Sequence, residues 1–124
     1  MPAIQDIGLD IVDVDRLRVS YDLYGDKFLQ KILTENEIGS CRKKGDMMQS
    51  VAARFAAKEA LSKALGCGIS KKFNWHSVEI LNTLNGKPFV RVIDNSCTLK
   101  NASIKISLSH DKRYAASVVM ISFP

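Results

Sequence analysis

Asp10 is the first residue of the chain whose type and setting could do chemistry. It stands between Leu9 and Ile11 in a segment where apolar residues alternate with other types, which is the period of a β-strand. Because Val12 is also apolar, we expect both faces of this strand to be covered and the carboxylate to be at least half buried. A buried carboxylate needs a partner. Asp10 either accepts hydrogen bonds from backbone amides at a helix start, or acts as a metal ligand or catalytic acid.

Glu59 raises the same question on a helix. Helical spacing places it at the edge of the apolar stripe that contains Phe55, so we expect it at the margin of the sheet. Lys63 follows one turn later, in the favourable order for an i,i+4 ion pair, and that pair alone would explain both residues. Together with Asp10, however, Glu59 forms the kind of site that Mg²⁺ prefers, with one or two protein carboxylates and room for phosphate oxygens. The sequence therefore predicts a magnesium site.

Basic residues are concentrated around Glu59. Segment 42–72 contains eight lysines and arginines against two acidic residues, in a chain whose formal net charge is +5. This distribution favours a local site for phosphates or for an acidic partner, while a solvated helix face is the structural alternative. We predict that the phosphates lie against this segment.

The adjacent residues Ser109 and His110 suggest a hydrolase only at first sight. Neighbouring residues on an extended strand point to opposite faces, so this serine and this histidine cannot form a nucleophile–base pair. His110 is followed by Lys112 and Arg113 and is better placed to donate to an anion. The alternative is a surface histidine in a hairpin turn.

A mixed α+β frame must position these residues. Capping residues and apolar spacing predict four helices in the first half of the chain, which start near Asp13 or Asp15, Lys27, Thr34 and Met47. Apolar runs around an Asn85-Gly86 turn signal predict four strands in the second half, over 78–81, 89–93, 104–108 and 114–122. We expect the helices to pack on one mainly antiparallel sheet, to which the first strand adds.

Length and composition describe one globular domain over residues 1–124. The chain has 46% hydrophobic and 25% charged residues, enough for one buried core. Its three cysteines, Cys41, Cys67 and Cys97, are odd in number and lack a CxxC pair, which argues against a disulfide framework and a zinc cluster. We find no signal-peptide pattern and no membrane-spanning run. We expect a cytoplasmic protein with no membrane partner.

Three segments together resemble the signatures of a known family. They are GLDIV at 8–12, RFAAKEALSKALG at 54–66 and SLSHDKRYA at 107–115, which are similar to those of the 4'-phosphopantetheinyl transferases. The length and the hairpin NGKP at 85–88 resemble the short type, the holo-[acyl-carrier-protein] synthases. This resemblance implies transfer of 4'-phosphopantetheine from coenzyme A to a serine of apo acyl carrier protein, in support of fatty acid biosynthesis. Adenosine 3',5'-bisphosphate would be released.

The resemblance also implies roles for individual residues. Asp10 and Glu59 would bind Mg²⁺, and Lys63 would assist at the pyrophosphate. The expected coenzyme A contacts are Lys43, Lys44, Arg54, Lys63, Ser109 and His110. The expected docking residues for the acidic carrier protein are Arg16, Arg18, Lys27 and Phe28. The serine proton would go to a metal-bound water or to Glu59 through a water, and the sequence does not choose between them.

The resemblance also implies an oligomeric state. Members of the short type resemble one another in forming homotrimers with active sites between subunits, so we expect that assembly here.

This chain departs from the family pattern in one segment. The family often carries a short helix where this chain has the polar stretch 94–103, and we predict no helix there.

Two other classes of protein explain part of the pattern. A basic nucleic-acid-binding module would explain the charge of segment 42–72, but no helix-turn-helix, RNP or zinc pattern is present. A non-catalytic trimeric interaction protein would explain the fold and would leave Asp10 and Glu59 without a role. We therefore expect an enzyme that does not bind nucleic acid.

Overall fold

The computed structural model describes residues 4–94 and 99–124 of the chain. Its elements, in chain order, are β1 (Ile4–Asp13), α1 (Val14–Tyr24), α2 (Asp26–Ile32), α3 (Glu35–Arg42), α4 (Met47–Leu65), β2 (Val78–Asn82), β3 (Pro88–Val92), β4 (Ser103–His110) and β5 (Tyr114–Phe123). The predicted α+β class is confirmed. Cys97 and the centre of the polar stretch 94–103 lie outside the described residues.

Local sequence signals set the ends of the helices. Thr34 and Glu37 form the predicted capping box at the start of α3. Asp46 accepts hydrogen bonds from two free amides in the first turn of α4. Gly66 ends that helix in the left-handed conformation, at a φ of 77°, which favours glycine. The predicted start of α4 near Met47 is confirmed.

The strands pair antiparallel but divide into two sheets, where we predicted one. In the described part of the chain, β5 is the central strand of a sheet with the order β1-β5-β4, and β2 pairs only with β3. The β2–β3 hairpin packs against α3 and lies beside β4 without ladder hydrogen bonds. A groove between the hairpin and the three-stranded sheet can therefore open toward solvent.

One face of β1 is uncovered, contrary to our expectation. Ile7, Leu9 and Ile11 are 67%, 64% and 66% exposed, whereas Gly8 on the opposite face is buried. Strand alternation puts Asp10 on the same side as Gly8, toward α4. Its side chain is only 15% exposed. The predicted burial of this carboxylate is confirmed, but a single packed face produces it.

Small side chains let α4 lie close to the sheet and to the other helices. Its core-facing alanines are each at most 2% exposed: Ala52, Ala53, Ala56, Ala57 and Ala60. The first half of α4 packs with α1, α2 and α3, and the second half packs with the sheet residues. Both apolar clusters therefore meet at this one helix, which is consistent with its being buried almost all round.

Lys58 does not belong to a basic surface. Its side chain is fully buried, and its Nζ donates to Glu37 Oε1 at 2.6 Å and to the carbonyl oxygens of Ile32 and Trp75 at 2.9 and 2.6 Å. Burial lowers the pKa of Lys58, while the charge of Glu37 opposes that change. Glu37 also accepts from the amide of Ile80. This ion pair joins α2, α3 and β2 to α4, and removal of one partner would leave a buried charge uncompensated.

We predict that Gly8→Ala destabilises the fold by at least about 2 kcal/mol, because overpacking forces backbone shifts. A β-carbon at this position would lie 1.9 Å from the carbonyl oxygen of Ala60, which is backbone and cannot rotate away. Gly39 provides the control, since a β-carbon there meets nothing within 4 Å. Gly39→Ala should stabilise helix α3 by up to about 1 kcal/mol. Chemical denaturation of both variants measures the difference, and equal stabilities would contradict this account of the β1–α4 contact.

Candidate active site

Asp10 and Lys63 form the centre of the first candidate site. Lys63 Nζ donates to Asp10 Oδ1 at 2.8 Å and to the carbonyl oxygen of Leu9 at 3.1 Å. The simple i,i+4 pair of Lys63 with Glu59 is thus not what the structure shows. Among the described contacts of Asp10, the partner is this ammonium and not a set of helix amides. The hydrogen bond to Asp10 raises the pKa of Lys63.

Glu59 lies at the margin of the sheet, half-buried, as predicted. Burial raises the pKa of Glu59, the nearby charge of Asp10 raises it further, and Lys63 acts in the opposite direction. The ammonium of Lys63 therefore acts on both carboxylates, through a hydrogen bond to Asp10 and through its charge on Glu59. The arrangement would hold an additional cation, because that cation would relieve the repulsion between Asp10 and Glu59.

The donor set fits magnesium. Asp10 and Glu59 open onto a cavity of about 300 Å³ whose wall also contains Asp13, Arg16 and Phe55. Over residues 4–94 and 99–124, no three His, Cys, Asp or Glu side chains come together as a metal cage. Two carboxylates beside an open cavity suit Mg²⁺, which keeps waters and takes phosphate oxygens from its substrate. They do not suit a structural zinc ion, which needs four protein ligands.

A second cavity, of about 620 Å³, lies in the groove between the β2–β3 hairpin, the start of α4 and the end of β4. Three of the predicted phosphate-binding residues line it: Lys44, Arg54 and His110. The sequence analysis missed other polar residues of the same wall: Gln49, Asn82 and Lys87. The Asn85-Gly86 turn signal located the hairpin, but only the packing of that hairpin against α4 shows that it forms a wall.

Arg54 is buried, and within residues 4–94 and 99–124 no carboxylate forms an ion pair with it. Only 3% of the residue is exposed, and its guanidinium donates to Ile80 O at 3.0 Å, Ser50 Oγ at 2.6 Å, Ser40 Oγ at 3.2 Å and Asn82 Oδ1 at 3.1 Å. It also donates to the carbonyl oxygen of Ser50 at 3.3 Å, and all five acceptors are neutral oxygens. The positive charge of Arg54 is therefore held rigidly at the cavity wall and is not neutralised there, which suits an anionic ligand.

His110 projects into the same cavity from the end of β4. Its Nδ1 lies 2.8 Å from Gln49 Oε1, and because an amide oxygen only accepts, this hydrogen bond requires a proton on Nδ1. With Nδ1–H donating to Gln49, Nε2 faces outward. The predicted anion-binding role of His110 has a suitable position, and Gln49 orients the ring.

Three predicted coenzyme residues lie outside this cavity wall: Lys63, which pairs with Asp10, and also Lys43 and Ser109. Lys43 is exposed at the end of α3. Ser109 aligns across the sheet with Ala116 and Ile11, on the uncovered face. In a single chain, neither residue lines the cavity that contains Arg54.

The two cavities have no lining residue in common. Arg54 and Glu59 are five positions apart on α4, about 140° around the helix, and therefore face different directions. The carboxylates and Lys63 thus occupy one side of α4, and the phosphate-binding candidates occupy another.

A family model described as the 4'-phosphopantetheinyl transferase superfamily matches residues 6–119, which include all three signature segments. The chain belongs to this superfamily. Holo-[acyl-carrier-protein] synthase of Chlorobaculum tepidum is 49% identical over 96% of this chain and 98% of its own length.

Solved structures of the superfamily are also similar. The holo-(acyl-carrier-protein) synthase of Bacillus anthracis in complex with CoA (3',5'-ADP) has a TM-score of 0.84 at 33% identity, with 100% of both chains covered. The Helicobacter pylori holo-[acyl-carrier-protein] synthase in complex with coenzyme A has a TM-score of 0.84 at 34% identity, covering 94% of this chain and 99% of the other. The fold is therefore that of the superfamily.

The predicted docking residues have different surroundings in this superfamily member. Arg16 is exposed and lines the cavity of Asp10. Arg18 is paired with Asp15 at 3.7 Å and with Asp46 at 3.4 Å. Lys27 is exposed on α2, whereas Phe28 is partly buried against the core.

The raised pKa of Glu59 predicts a pH effect on stability. The folded chain holds this proton more tightly than the unfolded chain, so stability falls as the pH rises from the ordinary pKa of 4.5 through the folded value. Without divalent cations, Glu59→Gln should therefore be more stable than the unmodified chain at neutral pH and lose that advantage near pH 4. Lys63→Met should do the opposite at neutral pH, since it removes the offsetting cation. Thermal unfolding between pH 4 and 8 tests both, and a Glu59→Gln variant without added stability at neutral pH would contradict the assignment.

Proposed function

We propose that this chain transfers 4'-phosphopantetheine from coenzyme A to a serine of apo acyl carrier protein, with release of adenosine 3',5'-bisphosphate. The observation that carries the proposal is the convergence of Asp10, Glu59 and Lys63 in a member of this superfamily. The cavity lined by Arg54 supports it, because that cavity offers an unneutralised cation to a phosphorylated substrate. The names of the relatives and the coenzyme A complexes of the solved structures agree with it.

Asp10 and Glu59 are the residues that would hold Mg²⁺. When bound, the ion would neutralise charge that develops on the pyrophosphate of coenzyme A. The serine oxygen forms a bond to the β-phosphorus, and the bond from that phosphorus to the bridging oxygen breaks, so the α-phosphate leaves with the adenosine. Lys63 is free to turn its ammonium toward these phosphates, because its side chain is 55% exposed. Glu59 lines the cavity of Asp10 and is therefore placed to accept the serine proton through a water.

The phosphates of coenzyme A would occupy the larger cavity. Arg54 supplies a fixed charge there and Lys44 an exposed and adjustable one, and His110 would donate from Nε2 in its imidazolium form. Lys43 and Ser109 do not line this cavity and stay as predicted contacts.

We further propose a homotrimer with active sites between subunits. The uncovered face of the three-stranded sheet exposes Ile7, Leu9, Ile11, Val118 and Met120 to solvent at 37% or more each. A contiguous apolar face of this kind favours association with a second copy. Such an interface would also join the two cavities, because Asp10 and Glu59 of one subunit would meet Arg54 and His110 of the next.

The carrier protein would dock beside Asp10. Arg16 lies at the mouth of that cavity, and Val19 and Leu23 follow it on the same exposed side of α1, at 58% and 70% exposure. Lys27 adds charge at the start of α2. Arg18 contributes less, since Asp15 and Asp46 already pair with it. An acidic carrier helix with apolar residues fits this face.

We also propose a cytoplasmic role in fatty acid biosynthesis. Cys41 and Cys67 are free thiols, as is usual in a reducing compartment. None of the described helices is long and apolar enough to cross a bilayer. The acyl carrier protein that the proposed reaction modifies connects it to fatty acid synthesis.

Mass spectrometry of a purified apo acyl carrier protein tests the reaction. Incubation with this protein, coenzyme A and Mg²⁺ should add one phosphopantetheine group to the carrier. Asp10→Ala and Glu59→Ala should each lower the rate by about a hundredfold or more, as loss of a main charge-stabilising contact does. Glu35→Ala, which removes an exposed carboxylate of α3, is the control and should keep the full rate. An unmodified carrier, or full activity of either site variant with an intact circular dichroism spectrum, would refute the proposal.

Subunit mixing tests the shared active site. Asp10→Ala and His110→Ala proteins should each be nearly inactive, and the sedimentation mass of each should be that of a trimer. In trimers formed from an equal mixture, about a quarter of the interfaces pair two unmodified half-sites, so about a quarter of the activity should return. A monomeric mass, or no recovery in verified mixed trimers, would show that one chain holds the whole site.

A further inference from the structure

Ser117 carries a buried hydroxyl that has no partner in the described part of the chain. The residue is 2% exposed, and its Oγ makes no hydrogen bond to any described residue. Buried polar atoms nearly always have a partner, so each exception calls for an explanation. The proposed function assigns no role to this residue.

The position of Ser117 points to Asp10. In the antiparallel ladder of β1 and β5 the two residues stand directly opposite each other, and their side chains share the face that packs against α4. Directly opposed β-carbons lie about 4.5 to 5.5 Å apart, within reach of a serine hydroxyl and a carboxylate. The other in-face neighbours are apolar: Leu108 across the second ladder, and Ala115 and Val119 along β5. Asp10 is the one polar group among these four.

One oxygen of Asp10 is available for such a bond. Lys63 occupies Oδ1 at 2.8 Å and orients the carboxylate in the structure described here. A divalent cation would compete with this ammonium for the same oxygen. Once Lys63 leaves, no described residue on the α4 side holds the carboxylate, and a hydroxyl bonded to Oδ2 would restore its orientation.

We propose that Ser117 is a positioning residue for the cation site. Its hydroxyl donates to Asp10 Oδ2 when a divalent cation replaces Lys63 at Oδ1. This inference rests on the proposed function only in taking Asp10 as a cation ligand. Hydrogen bonds that orient a metal-binding carboxylate typically change metal affinity by tenfold or more.

The inference predicts opposite effects of Ser117→Ala on stability and on cation binding. Without a cation the hydroxyl is buried and unpaired, so its removal should leave the melting temperature unchanged or raise it. With a cation the bond to Asp10 is lost, so the dissociation constant for Mn²⁺ should rise about tenfold. Ser117→Cys, which is somewhat larger and donates only weakly, should raise the dissociation constant less than Ser117→Ala does.

The experiment is a titration with Mn²⁺ alone, followed by electron paramagnetic resonance, together with thermal unfolding with and without the ion. Ser77→Ala is the matched control, because Ser77 is also fully buried but its hydroxyl accepts from the Asn74 amide at 3.0 Å, before β2. This control should lose stability and keep its Mn²⁺ affinity.

The outcomes separate the two proposals. Unchanged Mn²⁺ affinity in Ser117→Ala, with weakened binding in Asp10→Ala, overturns the role of Ser117 and leaves the cation site intact. Unchanged affinity in Asp10→Ala overturns both the cation site and the role of Ser117. Failure of the carrier protein to gain a phosphopantetheine group, with Mn²⁺ binding as expected, refutes the transfer reaction while the role of Ser117 at the cation site stands.

Discussion

A direct backbone contact between β1 and α4 governs the geometry of the candidate active site. Gly8 has no side chain, and the Ala60 carbonyl occupies the space where one would stand. The helix therefore rests on the strand with nothing between them. Asp10 follows Gly8 on the same face, and Glu59 and Lys63 flank Ala60 along α4. The contact thus brings a strand carboxylate, a helix carboxylate and an ammonium to one place.

The buried ion pair of Lys58 and Glu37 sets the rotation of α4. An ammonium with three acceptors in the core can leave them only at a large desolvation cost. Because consecutive helical residues are about 100° apart, a fixed Lys58 also fixes the direction of Glu59. One helix thereby holds a structural charge inside and a functional charge at the sheet margin. The adjacent residues Lys58 and Glu59 therefore have separate roles, one in the core and one at the candidate active site.

The basic segment 42–72 is not a uniformly charged surface. Lys58 is neutralised in the core, and Arg54 lies at a cavity wall with its charge fixed by neutral oxygens. The remaining lysines are exposed at the segment ends and beside the cavity. A nucleic-acid surface needs a continuous row of exposed cations along a backbone. A localised charge inside a cavity favours a small phosphorylated ligand.

Short-range signals in the sequence determined the helix bounds, the hairpin and the choice of Asp10 and Glu59, because caps, turns and periodicity act between residues only a few positions apart. Only the tertiary structure decided the rest. Lys63 pairs with Asp10, one face of β1 is exposed to solvent, and the Lys58 side chain is buried in the core. Each of these features depends on how closely two elements pack. The spacing of residues along the chain does not determine that distance.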